Sequence, residues 1–282
     1  MKPFTLNIKG KLKHFDRPLV MGIINATPDS FYSPSRALKT NIEAVVVKMI
    51  EEGVDIIDLG AYSSRPGSQD VSECEEIERL EWALRKIRSV SDSIIISVDT
   101  FRAEVARVSV LEYGADIVND ISGGLLDSAM IPAVAKLKVP YVLMHMRGNP
   151  QTMQQHCNYP AGVTAGVIKE LSQRIIDARL AGICDIIVDP GFGFSKTVEQ
   201  NYELMRNLQL IEDAFKLPVL VGISRKSMFT KPLGISAEQS LPATVTANTI
   251  AAINGASILR VHDVAAARQC VDGLLSTSPS PR

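Results

Sequence analysis

Asp189 ends a run of β-branched residues, Ile186-Ile187-Val188, and Pro190-Gly191-Phe192-Gly193-Phe194 follows at once. A carboxylate fixed where a buried strand stops, beside a glycine-rich loop, can accept two hydrogen bonds from one ligand. Asp-Pro-Gly is also good turn chemistry, so this stretch alone leaves both readings open. The same strand-then-polar pattern recurs along the chain, at Asn25, Ser63-Ser64-Arg65, Asp99, Asn119-Asp120, His145, Ser224-Arg225-Lys226, and Arg260 with His262. Asp99, Asn119 and Asp189 suit a heterocycle that presents an N–H beside an amino group, as guanine and pterin do. Arg65, Lys226, Arg260 and His262 suit an anionic group bound locally. Blander readings stand beside these. Asp99 could cap a helix that opens at Thr100, Asn119 could be a turn residue, and His145 could pack in the core. Lys226 and Arg260 could pair with carboxylates inside the same mouth. No Ser-His-Asp order and no H-x-x-x-H cluster occurs, which argues against a serine nucleophile and zinc hydrolysis.

Something must hold these residues on one rim. Apolar strand candidates fall at 19–24, 55–59, 94–98, 116–118, 141–144, 186–188, 219–222 and 257–261. Helix-length segments of 3.6 period lie between them, at 41–52, 73–90, 102–113, 128–138, 161–181, 198–213, 237–254 and 263–275. Capping boxes open three of them, Ser72-x-x-Glu75, Thr197-x-x-Gln200 and Ser236-x-x-Gln239. A fourfold echo begins at Gly53, Gly114, Gly182 and Gly255, each a left-handed helix end followed directly by a strand. Intervening strands enter through Pro18, Pro140 and Pro218. Strand–helix alternation gives a parallel sheet with right-handed crossovers. Eight units of about 32 residues predict a closed (β/α)8 TIM barrel, preceded by a short β-hairpin within residues 4–15. The rival is an open doubly wound sheet. One barrel domain is expected over residues 1–276, with a disordered polar tail at 277–282. In such a barrel the strand C-termini share one rim, and active sites form there.

Composition sets the outer limits. The chain has 282 residues, 46% hydrophobic and 22% charged, which suffices for a core without metal or disulfide staples. A net charge of −1 gives no reason to expect a nucleic-acid or membrane partner. Cys74, Cys157, Cys184 and Cys270 form no C-x-x-C pair and read as reduced thiols of a cytoplasmic protein. No targeting core follows the first residues, and no run of about 18 apolar residues exists.

Eight ordered motifs carry a resemblance. Met21-Gly-Ile-Ile-Asn-Ala-Thr-Pro-Asp-Ser-Phe31 and Asp58-Leu-Gly-Ala-Tyr-Ser-Ser-Arg-Pro-Gly67 resemble two signature stretches of the dihydropteroate synthase family. So do Ser97-Val-Asp-Thr100, Asn119-Asp-Ile121, Leu143-Met-His-Met-Arg-Gly-Asn-Pro150, Asp189-Pro-Gly-Phe-Gly-Phe194, Gly222-Ile-Ser-Arg-Lys-Ser227 and Arg260-Val-His262. The resemblance implies a transferase of folate biosynthesis that joins p-aminobenzoate to a dihydropterin methyl diphosphate. It implies that Asn25 helps hold Mg2+ on the diphosphate. Asp99, Asn119, Asp189 and Lys226 would face the pterin, with Met144 and Phe194 near its flat surface. Ser64, Arg260 and His262 would bind the diphosphate, and Asp99, Lys226, Arg260 and His262 would be catalytic. Phe31, Ser63, Arg65, Pro66 and Ser227 would form the aminobenzoate side, where sulfonamides would compete. A homodimer is implied as well.

Two departures bear on turnover more than on binding. Ala61-Tyr62 replaces the usual Gly-Glu, with Ser64 where threonine is common, and Tyr32-Ser33-Pro34-Ser35 replaces Ser-Asp-Gly-Gly in the first loop. Three competing functions follow. A non-catalytic pterin-binding module would release no diphosphate. A corrinoid-linked methyltransferase would bind methyl-tetrahydrofolate and needs no diphosphate cradle. A Schiff-base aldolase built on Lys226 would be trapped by borohydride.

Overall fold

The computed structural model describes residues 2–26, 41–62 and 71–277. The chain opens with an antiparallel hairpin, β1 (Phe4–Ile8) and β2 (Lys11–Phe15), with Phe4 opposite Phe15. Lys9 and Gly10 make its turn at φ of 53° and 76°, the two successive left-handed residues of a tight two-residue connection.

Eight parallel strands follow: β3 (Leu19–Asn25), β4 (Ile56–Gly60), β5 (Ile95–Asp99), β6 (Ile117–Asp120), β7 (Tyr141–Met144), β8 (Ile186–Asp189), β9 (Leu220–Val221) and β10 (Ile258–Val261). Their order is β8-β7-β6-β5-β4-β3-β10-β9. A parallel bridge between Val188 and Val219 joins the two ends, and the Val188 N–H donates to the Pro218 carbonyl at 2.8 Å. The expected barrel and hairpin are both present.

Among the described residues ten helices surround the strands: α1 (Ile42–Glu51), α2 (Glu73–Val90), α3 (Ala103–Leu111), α4 (Met130–Leu137), α5 (Val163–Leu180), α6 (Val198–Arg206), α7 (Leu208–Phe215), α8 (Ser227–Leu233), α9 (Leu241–Ile253) and α10 (Val264–Thr277). The four echo glycines all have positive φ, as left-handed helix ends require. Before Pro140 and Pro218 the same role falls to Lys138 and Lys216. Thr197 and Gln200 form the full reciprocal box at α6, and Ser72 accepts from the Glu75 N–H at α2. Ser236 and Gln239 also bond reciprocally, but at a 3-10 turn (Glu238–Ser240) whose cap position is Ala237, and α9 starts only after it.

Three expectations shift. The single helix at 198–213 is two, because Asn207 leaves the helical region and donates its side-chain N–H to Thr164. A short α8 follows Lys226 unannounced, since seven residues hold too few turns to display a period. Ser276 and Thr277 belong to α10, so that helix overruns the expected tail boundary, while residues 278–282 lie outside the described residues.

Inside the barrel the side chains alternate in and out with period two. Leu19, Met21, Ile56, Ile95, Ile117, Val142, Ile187, Leu220 and Ile258 form an apolar floor, closed beneath by Leu6 and Ile8 of the hairpin. Residues of the same parity, two positions further along, are Ile23, Asp58, Ser97, Asn119, Met144, Asp189, Gly222 and Arg260, five of them polar. The switch from apolar to polar therefore occurs within single strands, one pleat below the rim. Leu6 is 1% exposed, so Leu6→Ala should cost ~2–5 kcal/mol. Urea unfolding would show the loss, and an unchanged midpoint would contradict the plug.

Candidate active site

Arg260, on β10, is the hub of the mouth. Its Nε donates to Asp58 and its Nη2 to Asp99, both at 2.6 Å. Asp58 is fully buried on β4, and it also accepts from Asn119 Nδ2 at 3.2 Å through each oxygen. With its amide nitrogen turned to Asp58, Asn119 has its oxygen left to offer a ligand. Burial pushes Asp99 well above the usual carboxylate range; Arg260 opposes this and Asp58 reinforces it. Burial pulls Arg260 down, but the two carboxylates outweigh it and hold the guanidinium firmly charged. The sequence divided the ring into acids and cations as separate groups. The fold interleaves them at Arg260, which sits between Asp58 and Asp99, so the pairing alternative holds for Arg260.

Asp189, on β8, stands at the next part of the ring. Its carboxylate accepts from the Gly191 N–H at 2.7 Å and so fixes its own loop. Burial raises its pKa against the pull of Lys226. Lys226 donates to the Phe192 carbonyl and lies 4.8 Å from the centre of the Phe194 ring, a cation–π contact. Burial lowers Lys226 to about 8 although Asp189 resists. Phe194 packs with Phe101, Ile121, Met144, Met146 and Met153 in an apolar cluster separate from the barrel floor. A flat ring thus meets an apolar surface on one face and hydrogen-bonding groups at its edge.

The remaining candidates divide into two groups. His262 Nδ1 lies 3.0 Å from Ser224 Oγ, and the His262 N–H donates to the same oxygen. Ser227 is exposed at the start of α8, and Arg225 beside them pairs with Asp263 at 2.6 Å. Phe31, Ser63, Ser64, Arg65 and Pro66, with the altered first loop, lie outside the described residues. His145 is fully buried behind the rim, bonded to Lys196 and Glu170, so the packed alternative holds for it.

Asn25 ends β3, in register with Gly60, which is in register with Asp99. A Cβ on Gly60 would stand 3.8 Å from both Asn25 Oδ1 and Asp99 Oδ2, an ordinary contact distance, so both oxygens border this position. Oxygen donors of this kind fit a hard cation that takes its other ligands from phosphate and water. Among the described residues no group of three His, Cys, Asp or Glu side chains forms a protein cage for a metal.

Asp58 is the functional residue that strand-end reasoning passes over. It sits inside the strand, two residues before Gly60, and its signal is an acid sharing the parity of Ile56 within an otherwise apolar run.

Fold and site together define a closed barrel whose mouth sets acids, an amide and cations beside an apolar surface. A family model described as pterin binding enzyme matches residues 21–262. The dihydropteroate synthase of Synechocystis sp. (strain ATCC 27184 / PCC 6803 / Kazusa) is 43% identical over 90% of this chain and 88% of its own. The dihydropteroate synthase of Xanthomonas albilineans, solved with 4-aminobenzoic acid, is 36% identical at a TM-score of 0.86 and covers 98% of this chain and 99% of that one. The same enzyme solved with 7,8-dihydropteroate gives 34% identity and a TM-score of 0.81, covering 98% and 99% of the two chains. The chain belongs to the dihydropteroate synthase family. It spans 56% of the folate synthesis bifunctional protein of Arabidopsis thaliana, matching it at 41% identity over 89% of this chain.

Asp58→Asn tests the hub. It removes one of the two anions on Arg260 and one of the acids that hold Asp99 up. Unfolding free energy should fall by about 1.5–3 kcal/mol, the worth of a hydrogen bond to a charged group. The pKa of Asp99 should fall as well, which carboxyl NMR can follow. A variant with unchanged stability and an unmoved Asp99 would contradict this network.

Proposed function

We propose that this chain is a dihydropteroate synthase, joining p-aminobenzoate to (7,8-dihydropterin-6-yl)methyl diphosphate to give 7,8-dihydropteroate and diphosphate. The observation that carries the reading is the convergence of Asp189, Asn119, Lys226 and Phe194 at one mouth. Asp189 accepts the paired N–H groups of the pterin and the Asn119 oxygen accepts another, while Phe194 and Met144 cover its plane. The aryl amine is neutral at pH 7, so its attack on the pterin methylene needs no strong base. A new C–N bond replaces the C–O bond, diphosphate takes the bonding pair, and the amine gives up a proton. The electron-rich ring carries positive charge as the diphosphate departs, and Asp99 stabilises that charge in a dissociative displacement.

Arg260, His262 and Ser64 bind the diphosphate in this reading; Ser63, Arg65, Pro66, Phe31 and Ser227 hold the aminobenzoate, where a sulfonamide competes. Asn25 would hold a Mg2+ ion, which when bound neutralises charge on the leaving diphosphate. Four free cysteines support a reducing, cytoplasmic location. Among the described residues no helix is long and apolar enough to cross a membrane. Ile250 and Ile253, exposed on α9, support a homodimer formed through late helices.

The deciding assay mixes pterin diphosphate, p-aminobenzoate and Mg2+ and measures diphosphate. Release that requires both substrates is the expected result; no release would favour a binding module. Lys226→Ala should lower kcat/KM by roughly 100-fold, on the order of 3 kcal/mol for a lost preorganised charge. Lys226 is cationic below about 8 and neutral above it. The pterin diphosphate term should therefore weaken as pH rises through about 8, and that limb should vanish in Lys226→Ala. An unaltered high-pH limb in the variant would assign it elsewhere.

A further inference from the structure

Lys196 is a buried cation that the proposed reaction does not use. It is 3% exposed, and it lies beneath the loop that carries Asp189 and Phe194. That loop is conformationally expensive. Gly191, Gly193 and Ser195 take φ of 72°, 81° and 52°, three left-handed residues within five, and Ser195 is not a glycine. Nor can Gly191 be exchanged, since a Cβ there would stand 2.0 Å from the His145 carbonyl oxygen. The alternation turns two carbonyls inward. Lys196 Nζ donates to both, Gly191 O and Phe194 O, each at 2.9 Å, and its third partner is His145 Nδ1 at 3.1 Å. All three ammonium hydrogens are thereby used.

The third bond fixes a tautomer. Burial lowers Lys196 to about 7; in its ammonium form it can only donate, so His145 Nδ1 then accepts and the imidazole proton sits on Nε2. There it faces Glu170 Oε2 at 3.2 Å. Burial first, and Lys196 second, hold His145 near pKa 3, so the ring is neutral at pH 7. Glu170 is held in turn by Arg147 Nε at 3.0 Å. The Arg147 N–H donates to Ser195 Oγ at 2.9 Å, and the Tyr159 hydroxyl donates to the Ser195 carbonyl at 3.0 Å. The far end of the loop is therefore tied to the same relay.

We propose that Lys196 is a positioning residue for pterin recognition: its ammonium clamps the Gly191 and Phe194 carbonyls, and Glu170, by setting the His145 tautomer, keeps the clamp complete. This rests on the proposed function only in taking Asp189 and Phe194 to hold the pterin. Without the ammonium, the Phe194 carbonyl loses its hydrogen-bond partner and the Gly191 carbonyl keeps only the Phe194 N–H at 3.1 Å, and the loop relaxes away from the shape that presents Asp189.

The test pairs Lys196→Met with Glu170→Ala and Glu170→Gln. Binding of pterin-6-carboxylate is measured by calorimetry, KM for each substrate with the other saturating, and melting temperature as a check on folding. Lys196→Met should weaken pterin binding and raise the KM for pterin diphosphate tenfold or more, with the aminobenzoate KM within twofold of wild type. Glu170→Ala frees His145 to place its proton on Nδ1 against Lys196, and should raise the pterin KM threefold or more. Glu170→Gln keeps a carbonyl acceptor for Nε2–H and should stay within twofold. A folded Lys196→Met with normal pterin affinity, or one that raises both KM values alike, overturns the assignment. If Lys196→Met does not fold, equal effects from the two Glu170 variants overturn it. A wild-type protein that binds the pterin but releases no diphosphate defeats the proposed function while the variants still decide the role of Lys196. One that binds no pterin defeats both.

Discussion

Two carboxylates share one guanidinium at the centre of the mouth, and much of the site follows from that shortage. Arg260 cannot fully neutralise Asp58 and Asp99 together in a setting of low dielectric. Burial first, and the remaining repulsion with it, lifts Asp99, the more exposed of the pair, while Asp58 stays behind it and spends its other lone pairs on Asn119. Each member thus fixes another before any ligand arrives. The Asn119 rotamer, the seating of Arg260 and the place of Asp99 are settled by contacts that do not involve substrate, which is what a preorganised electrostatic site requires.

The scaffold makes that shortage possible. The hairpin residues Leu6 and Ile8 and the nine inward residues above them fill the lower barrel with hydrocarbon. Water therefore has no access to the charged layer from below. Desolvation is the first cause of the shifts at Asp99, Asp189 and Lys226 alike, and this closed floor helps to impose it. A charge placed above an apolar floor must find a partner sideways or remain costly, and the alternation of the strands puts such partners at one level. The floor and the ring are consequently one design, legible as two residues' difference in depth along the same strands.

That legibility has definite bounds. Strand positions, helix caps and the glycine echo stand out in the sequence because each rests on local chemistry: apolar runs, hydroxyl-to-amide spacing, left-handed φ. Rim residues stand out because they lie where an apolar run stops. Asp58 does not, since it interrupts no boundary and only its parity with Ile56 places it inside the mouth. The break at Asn207 depends on a bond to Thr164, more than forty residues earlier, which no local window contains. Lys196 looks like an ordinary loop lysine until the fold turns three carbonyl and imidazole acceptors toward it. The pairing of Arg260 with acids likewise needs the ring closed, because β10 meets β3, and β4 beyond it, only in the folded barrel.

Lys226 differs from Arg260 in a way that bears on the chemistry. Among the described residues no carboxylate lies within ion-pair distance of its ammonium, which has a carbonyl and an aromatic face instead. Burial without a direct counterion depresses its proton affinity, with Asp189 and Asp99 only moderating the effect. By linkage, a ligand that raises the proton affinity of Lys226 must itself bind more tightly when Lys226 is protonated. An electron-rich heterocycle with an anionic tail has that property, and a cationic ligand has the opposite one. The barrel thus presents one cation anchored by the acids it organises, and one without a direct counterion, which a ligand of the right charge completes. A mouth in which both cations were fully paired would hold its shape equally well and have little left with which to favour an anion.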